Sequence, residues 1–289
     1  AGLGVPVMDG YTLGLYEKSM PGSLSLPEKL AAACEAGYDC LEISIDETDE
    51  KLARLDWGEE ERLRLVESAA RAGCPVATMC LSAHRRYPLG SEDPETAGRG
   101  MEIFEGAVLL AEAVGVRLIQ LAGYDEYYRE SNARTRENFL RNLRRAVHFA
   151  AAHKVQLGFE TMETPFMDTC EKAMRYVAQI GSPYLSVYPD IGNMTNAAKL
   201  YRTDVLDDLA SAGGHIAAMH LKETCPGVYR EVPYGTGHVD FPGAVRRALD
   251  LGVRAFTAEF WYTGEPDWKA RLLENNRFLR RQFERCGDC

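Results

Sequence analysis

The sequence predicts an α/β fold in which eight parallel strands close into a barrel inside a ring of helices, a (β/α)8 barrel. Three observations predict it. Short apolar runs alternate with amphipathic stretches at a spacing of roughly 36 residues, the rhythm of parallel strand–helix–strand units. Each amphipathic stretch ends at a glycine or a short polar turn, and an apolar run follows at once. Eight such runs fit a chain of 289 residues, an ordinary length for a closed barrel, and the first strand–helix turn lacks the GxGxxG of an open dinucleotide-binding sheet.

The first strand is expected in YTLGLYEK (11–18). Gly37 precedes YDCLEISI, Gly73 precedes CPVATMCLS and Gly115 precedes VRLIQLA. Lys154 precedes VQLGFE, Gly181 precedes SPYLSVYPD, Gly214 precedes HIAAMHLK and Gly252 precedes VRAFTAE. A glycine just past a helix takes the left-handed conformation that stops it. Between strands, residues 26–36 read as a helix with Ser25 as N-cap, and residues 59–72 as another. Residues 135–153 read as a third, because Phe139, Leu143, Val147 and Ala150 recur at three- and four-residue spacing. No linker or low-complexity segment divides the chain. One barrel domain is therefore expected over 1–289, with 1–10 as an N-terminal extension and 286–289 as a C-terminal tail.

Apolar residues make up 46% of the chain, enough for a sizeable core, and 26% are charged, as in ordinary water-soluble proteins. The formal net charge of −10 repels polyanions, so nucleic acid is not an expected partner. No apolar stretch reaches the ~18 residues of a membrane span. The eight cysteines are scattered, several inside apolar runs, and no secretory signal is visible. They read as reduced thiols of a cytoplasmic protein. Cys286-Gly287-Asp288-Cys289 is a lone CxxC without a second pair or a redox context, and reads as a dangling tail.

The active site of such a barrel lies at the C-terminal ends of its strands. Strand five ends in Glu160, strand six in Asp190, strand seven in His220 and strand eight in Glu259. Successive side chains on a strand face opposite ways. Leu157 and Phe159 oppose Gln156, Gly158 and Glu160; Leu185 and Val187 oppose Ser186, Tyr188 and Asp190. Met219 and Leu221 oppose Ala218, His220 and Lys222; Phe256 and Ala258 oppose Thr257 and Glu259. In every case the bulky apolar residues fall on the helix-facing side and the candidate ligand on the interior. The small residues Gly158 and Ala218 leave room at the mouth. Three carboxylates converging in an apolar barrel repel unless a cation neutralises them. Three oxygens and one imidazole suit Mn²⁺, Mg²⁺, Co²⁺ or Zn²⁺.

At these residues the chain resembles the xylose-isomerase-like barrel superfamily, and within it the L-xylulose-5-phosphate / L-ribulose-5-phosphate 3-epimerase family. The resembling stretches are LGLYEK (13–18), LEISIDETDEKLARLDW (41–57), MCLSAHRRYPLGSED (79–93), IQLAGYD (119–125), YPDIGN (188–193) and HLKETCPGVYREVPYGTGHVDF (220–241). SAHRRYPLGSED is the most specific, since nothing in a generic barrel requires it. The resemblance implies a metal-dependent isomerase that inverts carbon three of ketopentose 5-phosphates in L-ascorbate and pentulose catabolism. It implies Glu160, Asp190, His220 and Glu259 as metal ligands, with Glu160 and Glu259 also serving as the two bases. The proton on carbon three is acidified only by the neighbouring ketone, and a metal on the ketone and hydroxyl oxygens stabilises the enediolate. Inversion needs a proton removed from one face and returned to the other, which two carboxylates on opposite sides can do.

A phosphorylated substrate needs cations. His84, Arg85 and Arg86 follow strand three, Lys222 lies on the interior face two residues past His220, and Lys18 ends strand one. Arginine offers phosphate a bidentate contact and lysine a point charge. Salt bridges of Arg85 and Arg86 to Glu92 and Asp93, and of Lys18 to Glu42 or Asp46, are the structural alternatives. Lys222 also suits polarisation of a substrate oxygen. Asn193 is a candidate partner for a sugar hydroxyl, and Trp261 a candidate for the pocket wall. Tyr124, Tyr127 and Tyr128 form an aromatic loop that suits a lid or a subunit contact, and a homodimer is the assembly to look for. Three rivals remain: an aldose–ketose isomerase, a non-catalytic sugar-phosphate binder, and an abasic-site endonuclease. The last is opposed by the charge and by Asn193, which stands where a second-metal histidine is expected.

Overall fold

The computed structural model describes residues 10–287. Eight parallel strands form one sheet in the order β6-β5-β4-β3-β2-β1-β8-β7. They are β1 (Thr12–Tyr16), β2 (Cys40–Ile45), β3 (Val76–Leu81), β4 (Leu118–Ala122), β5 (Gln156–Glu160), β6 (Leu185–Tyr188), β7 (Met219–Leu221) and β8 (Ala255–Ala258). The barrel closes between β6 and β7 through the parallel bridges Val187↔Ile216 and Asp190↔His220. The helices are α1 (Leu26–Glu35), α2 (Asp49–Leu52), α3 (Glu59–Ala72), α4 (Pro94–Val114), α5 (Ala133–Ala152), α6 (Cys170–Ile180), α7 (Ile191–Tyr201), α8 (Val205–Ser211), α9 (Phe241–Asp250) and α10 (Trp268–Gly287).

The eight expected strands are present, with shorter bounds. Strand β1 stops at Tyr16, and Lys18 lies in the 3-10 turn Glu17–Ser19 rather than at a strand end. Strand β6 stops at Tyr188, and Asp190 caps α7. The run expected from His215 pairs as a regular strand only over three residues, because its first half meets β6 at the single isolated bridge Val187↔Ile216. Ser25 caps α1 in a capping box with Glu28, as its side chain suits. Helix α5 starts two residues before the periodic pattern does, since Asn132 caps it and forms a box with Thr135. The six glycines that precede strands, from Gly37 to Gly252, all have positive φ, and Lys154 adopts the same conformation at φ 57°.

The main apolar core lies between barrel wall and helices. Leu157, Phe159, Leu185, Val187, Met219, Leu221, Phe256 and Ala258 all belong to it, each large member contributing roughly 1.5–3 kcal/mol by leaving water. The barrel interior is polar instead: Glu42, Thr78, Gln120, Ser186, Tyr188, His220 and Thr257 are all buried there. Just beyond β1, Glu17 is fully buried among three cations. Arg54 grips it bidentately at 2.6 and 3.0 Å, Lys29 and Lys51 stand 3.3 and 3.1 Å away, and the Ser44 amide donates to it at 2.9 Å.

Cys286 belongs to α10 rather than to a free tail, its thiol 3.3 Å from the Gln282 carbonyl. The remainder of the expected tail, Asp288 and Cys289, and residues 1–9 of the expected extension lie outside the described residues. The seven cysteines described are all free. No helix among the described residues is long and apolar enough to cross a membrane.

Candidate metal centre

Four strands deliver the expected ligands to one point at the barrel mouth. Glu160 is the last residue of β5, His220 lies within β7, and Glu259 follows β8 with its amide bonded to the Leu221 carbonyl at 3.1 Å. Asp190 spends one oxygen, Oδ1, on capping α7 through the Asn193 amide at 2.8 Å, which turns Oδ2 towards the other ligands. The barrel-closing bridge sets Asp190 beside His220. One ligand atom from each of the four residues lies within 4.8 Å of all the others. His220 Nδ1 is 3.2 Å from Glu259 Oε2, 3.4 Å from Glu160 Oε1 and 4.0 Å from Asp190 Oδ2. All four side chains are buried.

This crowding has an electrostatic cost. Burial pushes Glu160 above the usual carboxylate range, and the Glu259 charge adds to the rise. Burial, then the charges of Glu259 and Glu160, push Asp190 up to about 8 against the pull of Lys222. Burial raises Glu259 too, but the charges of His220 and Lys222 outweigh it and hold this carboxyl low. Burial alone lowers His220, yet Glu42 and Glu259 lift it well above the ordinary imidazole range. Glu259 Oε2 and Asp190 Oδ2 are fully buried and make no well-aligned hydrogen bond: the first faces His220 Nδ1 at 3.2 Å and the second the Lys222 ammonium at 3.0 Å. One ammonium and one imidazole leave a ring of three buried carboxylates short of positive charge, which a divalent cation supplies. The donor set fits one such ion. Adding Mn²⁺ at a hundredfold its Kd is expected to stabilise the fold by about 2.7 kcal/mol; a melting temperature indifferent to Mn²⁺ and to EDTA would count against the site.

The other expected site residues divide. Lys222 is buried at the centre, 2.7 Å from Asn193 Oδ1 and 3.8 Å from Glu259, and its charge lies over the Trp261 ring at 5.9 Å. Asn193 is engaged at both ends, its amide nitrogen donating to the Thr161 carbonyl at 2.8 Å. It therefore orients Lys222. Arg85, Lys18, Asn193, Lys222 and Trp261 all line a small cavity above the ligands. Arg85 stacks on Tyr127 at 4.9 Å. Lys18 is paired with Asp46, the second of its two expected structural partners. Arg86 points outward to Asp49 at 3.4 Å rather than to Glu92 or Asp93. His84 is not brought to the cavity: it is buried beneath the loop, 3.0 Å from the Gly100 carbonyl, and burial lowers it to about 4. Its Nε2 is spent on that backbone carbonyl, and His84, unlike Lys18, Arg85, Asn193 and Lys222, is not among the residues that line the cavity. In the aromatic loop, Tyr124 is buried, Tyr127 donates to Glu163 at 2.9 Å, and Tyr128 is 66% exposed while donating to Glu47 at 2.7 Å. The loop thus spans the mouth from β2 to β5.

Strand-end reading missed the layer beneath the ligands. Glu42 Oε1 lies 2.6 Å from His220 Nε2, and Gln120 lies against the same ring. The parity test used on β5 to β8 finds both when extended to LEISI and LIQLA, where Glu42 and Gln120 alternate with apolar residues. Arg230 was also missed. It reaches the cavity from the long loop after β7 and stacks on Trp261 at 4.9 Å.

Residues 30–282 match the family model for the xylose isomerase-like TIM barrel. The chain is 40% identical over 276 residues to the L-ribulose-5-phosphate 3-epimerase UlaE of Shigella boydii serotype 18, covering 95% of this chain and 96% of that protein. The same figures hold for the protein of that name from Escherichia coli O157:H7. Among solved structures, the D-allulose 3-epimerase of Methylomonas sp. in complex with D-allulose superposes with a TM-score of 0.76 at 17% identity, covering 94% of this chain and 97% of that one. A D-psicose 3-epimerase from Clostridium cellulolyticum H10 gives 0.78 at 14% identity, covering 93% and 98%. These structures share the fold.

Proposed function

We propose, for a chain that belongs to the xylose isomerase-like TIM barrel family and is an isomerase-class enzyme, that it interconverts L-xylulose 5-phosphate and L-ribulose 5-phosphate by inverting carbon three. The observation that carries this reading is the convergence of Glu160, Asp190, His220 and Glu259 at one point, with two glutamates approaching from non-adjacent strands. Near-full-length similarity to L-ribulose-5-phosphate 3-epimerases supports the choice of substrate.

Glu160 and Glu259 are the two bases. One takes the carbon-three proton from its face of the sugar, and the other returns a proton from the opposite face. Together with Asp190 and His220 they hold a divalent ion, which supplies Lewis-acid stabilisation of negative charge on the substrate oxygens, worth several kcal/mol in such sites. Lys222, fixed by Asp190 and Asn193, directs a further positive charge into the same space. Arg85 and Lys18, with Arg230 added, stand at the cavity's outer rim and hold the 5-phosphate. Their stacking on Tyr127 and Trp261 limits the freedom that Arg85 and Arg230 lose on binding an anion. Tyr127 backs the cavity wall, since it lies under the Arg85 guanidinium and donates to Glu163, both of which line the cavity.

The test is deuterium wash-in. The protein with Mn²⁺ and L-xylulose 5-phosphate in D₂O is expected to place deuterium at carbon three and to form L-ribulose 5-phosphate, with both changes suppressed by EDTA. Label at carbon one with an aldose product would assign the isomerase reaction instead. No exchange at any carbon with metal bound would remove this substrate.

A further inference from the structure

A histidine ligand has two ring nitrogens, and the proton on the remote one decides whether the near one offers its lone pair. His220 turns Nδ1 to the carboxylate cluster and Nε2 to the barrel interior. Two side chains compete to govern that remote nitrogen. The Gln120 amide nitrogen lies 3.0 Å from Nδ1 and 3.3 Å from Nε2. It addresses both nearly equally and selects neither. Glu42 addresses Nε2 at 2.6 Å. It is buried, and its other oxygen accepts from the Thr78 hydroxyl at 2.7 Å and the Tyr188 hydroxyl at 2.8 Å. The Tyr188 hydroxyl is itself 2.8 Å from Thr257 Oγ1. With Thr257 donating to Tyr188 and Tyr188 to Glu42, each hydroxyl in the chain has a defined direction. The ring of Tyr188 fits because position 158 is glycine: a Cβ there would stand 2.9 Å from the Tyr188 Cβ.

We infer that Glu42 is the positioning residue of this centre. It accepts the Nε2 proton of His220, fixes the ring, and leaves Nδ1 as the metal-binding nitrogen. A carboxylate can accept but cannot donate, so it excludes the opposite tautomer, which glutamine at position 120 does not. Thr78 and Tyr188 hold that carboxylate in place. This inference rests on the proposed metal site and extends it to residues that touch neither metal nor substrate.

The test measures metal affinity without turnover. Apo-protein is titrated with Mn²⁺ by calorimetry and with Co²⁺ by visible absorption, for the parent, Glu42→Gln and Tyr188→Phe. Glu42→Gln is expected to bind Mn²⁺ about 10–100-fold more weakly, with altered Co²⁺ bands. Tyr188→Phe, which loosens the carboxylate while leaving it present, is expected to weaken binding by a smaller factor. Thermal melts of the apo forms check folding. Folded Glu42→Gln with the parent's affinity and spectrum would overturn the inference. If Glu42→Gln does not fold, unchanged affinity and spectrum in Tyr188→Phe would do so. A parent that binds neither ion would remove the metal site itself and this inference with it.

Discussion

Glu160→Gln and Glu259→Gln each lower the rate of epimerisation by about 10²–10⁴, the usual contribution of a positioned acid or base. Glutamine keeps an oxygen for the metal and nearly the same volume, but it cannot carry a proton between solvent and substrate. The two variants fail in different ways. With one base gone, the remaining glutamate still removes the carbon-three proton from the epimer that presents it to that face. Each variant should therefore exchange deuterium at carbon three of one epimer, without forming the other, and the two variants should choose opposite epimers. Bound Mn²⁺ is measured in parallel, because both residues are also candidate ligands. Parent rates in both variants would end the two-base reading. Exchange of both epimers by one variant would mean that a single base serves both faces.

The positions of these four candidate ligands were legible because two geometric rules act together. Barrel strands end at one mouth, and strand side chains alternate with period two. A residue at a strand end with interior parity therefore has one place to go. Asp190 shows how little this depends on exact bounds: it lies two residues past β6, yet the closing bridge to His220 keeps it in register. Glu42 and Gln120 were legible by the same parity but sit mid-strand, where a search of strand ends does not look. Loop residues follow no such rule. His84 and Arg85 are neighbours in a polar segment, and only the 3-10 turn Ala83–Arg85 decides that the first is buried against α4 while the second reaches the cavity. Arg230 belongs to a loop whose course depends on Asn196 of α7, which holds the Gly227 amide at 3.0 Å.

The charge cluster around Glu17 was the least legible feature, since its partners come from α1, α2 and the turn after α2, and Lys or Arg at such positions is normally solvated. Its burial makes it the site of the largest expected stability change. Glu17→Gln leaves Lys29, Lys51 and Arg54 enclosed without their shared anion, which should cost about 3–5 kcal/mol. For a domain of this size that lowers Tm by roughly 5–8 °C. The sign with pH follows from Glu17 itself. Burial alone would raise its carboxyl, but the hydrogen bond and charge of Arg54, with the two lysines, bring it down to about 2, below the ~4.3 of an unfolded chain. Its contribution is full above the unfolded value and lost as pH falls through the folded one. Urea unfolding at pH 7, 4 and 3 should therefore show the gap between parent and Glu17→Gln narrowing with acidification, and equal stability at pH 7 would refute the cluster's role. The effect should also reach the metal centre. Glu17 accepts from the Ser44 amide at 2.9 Å, and Arg54 donates to the Ser44 carbonyl at 3.1 Å, so the cluster anchors β2 two residues beyond Glu42. Losing that anchor frees the strand that holds the carboxylate behind His220. Part of the cost of Glu17→Gln should then appear as weaker Mn²⁺ binding in protein that is still fully folded.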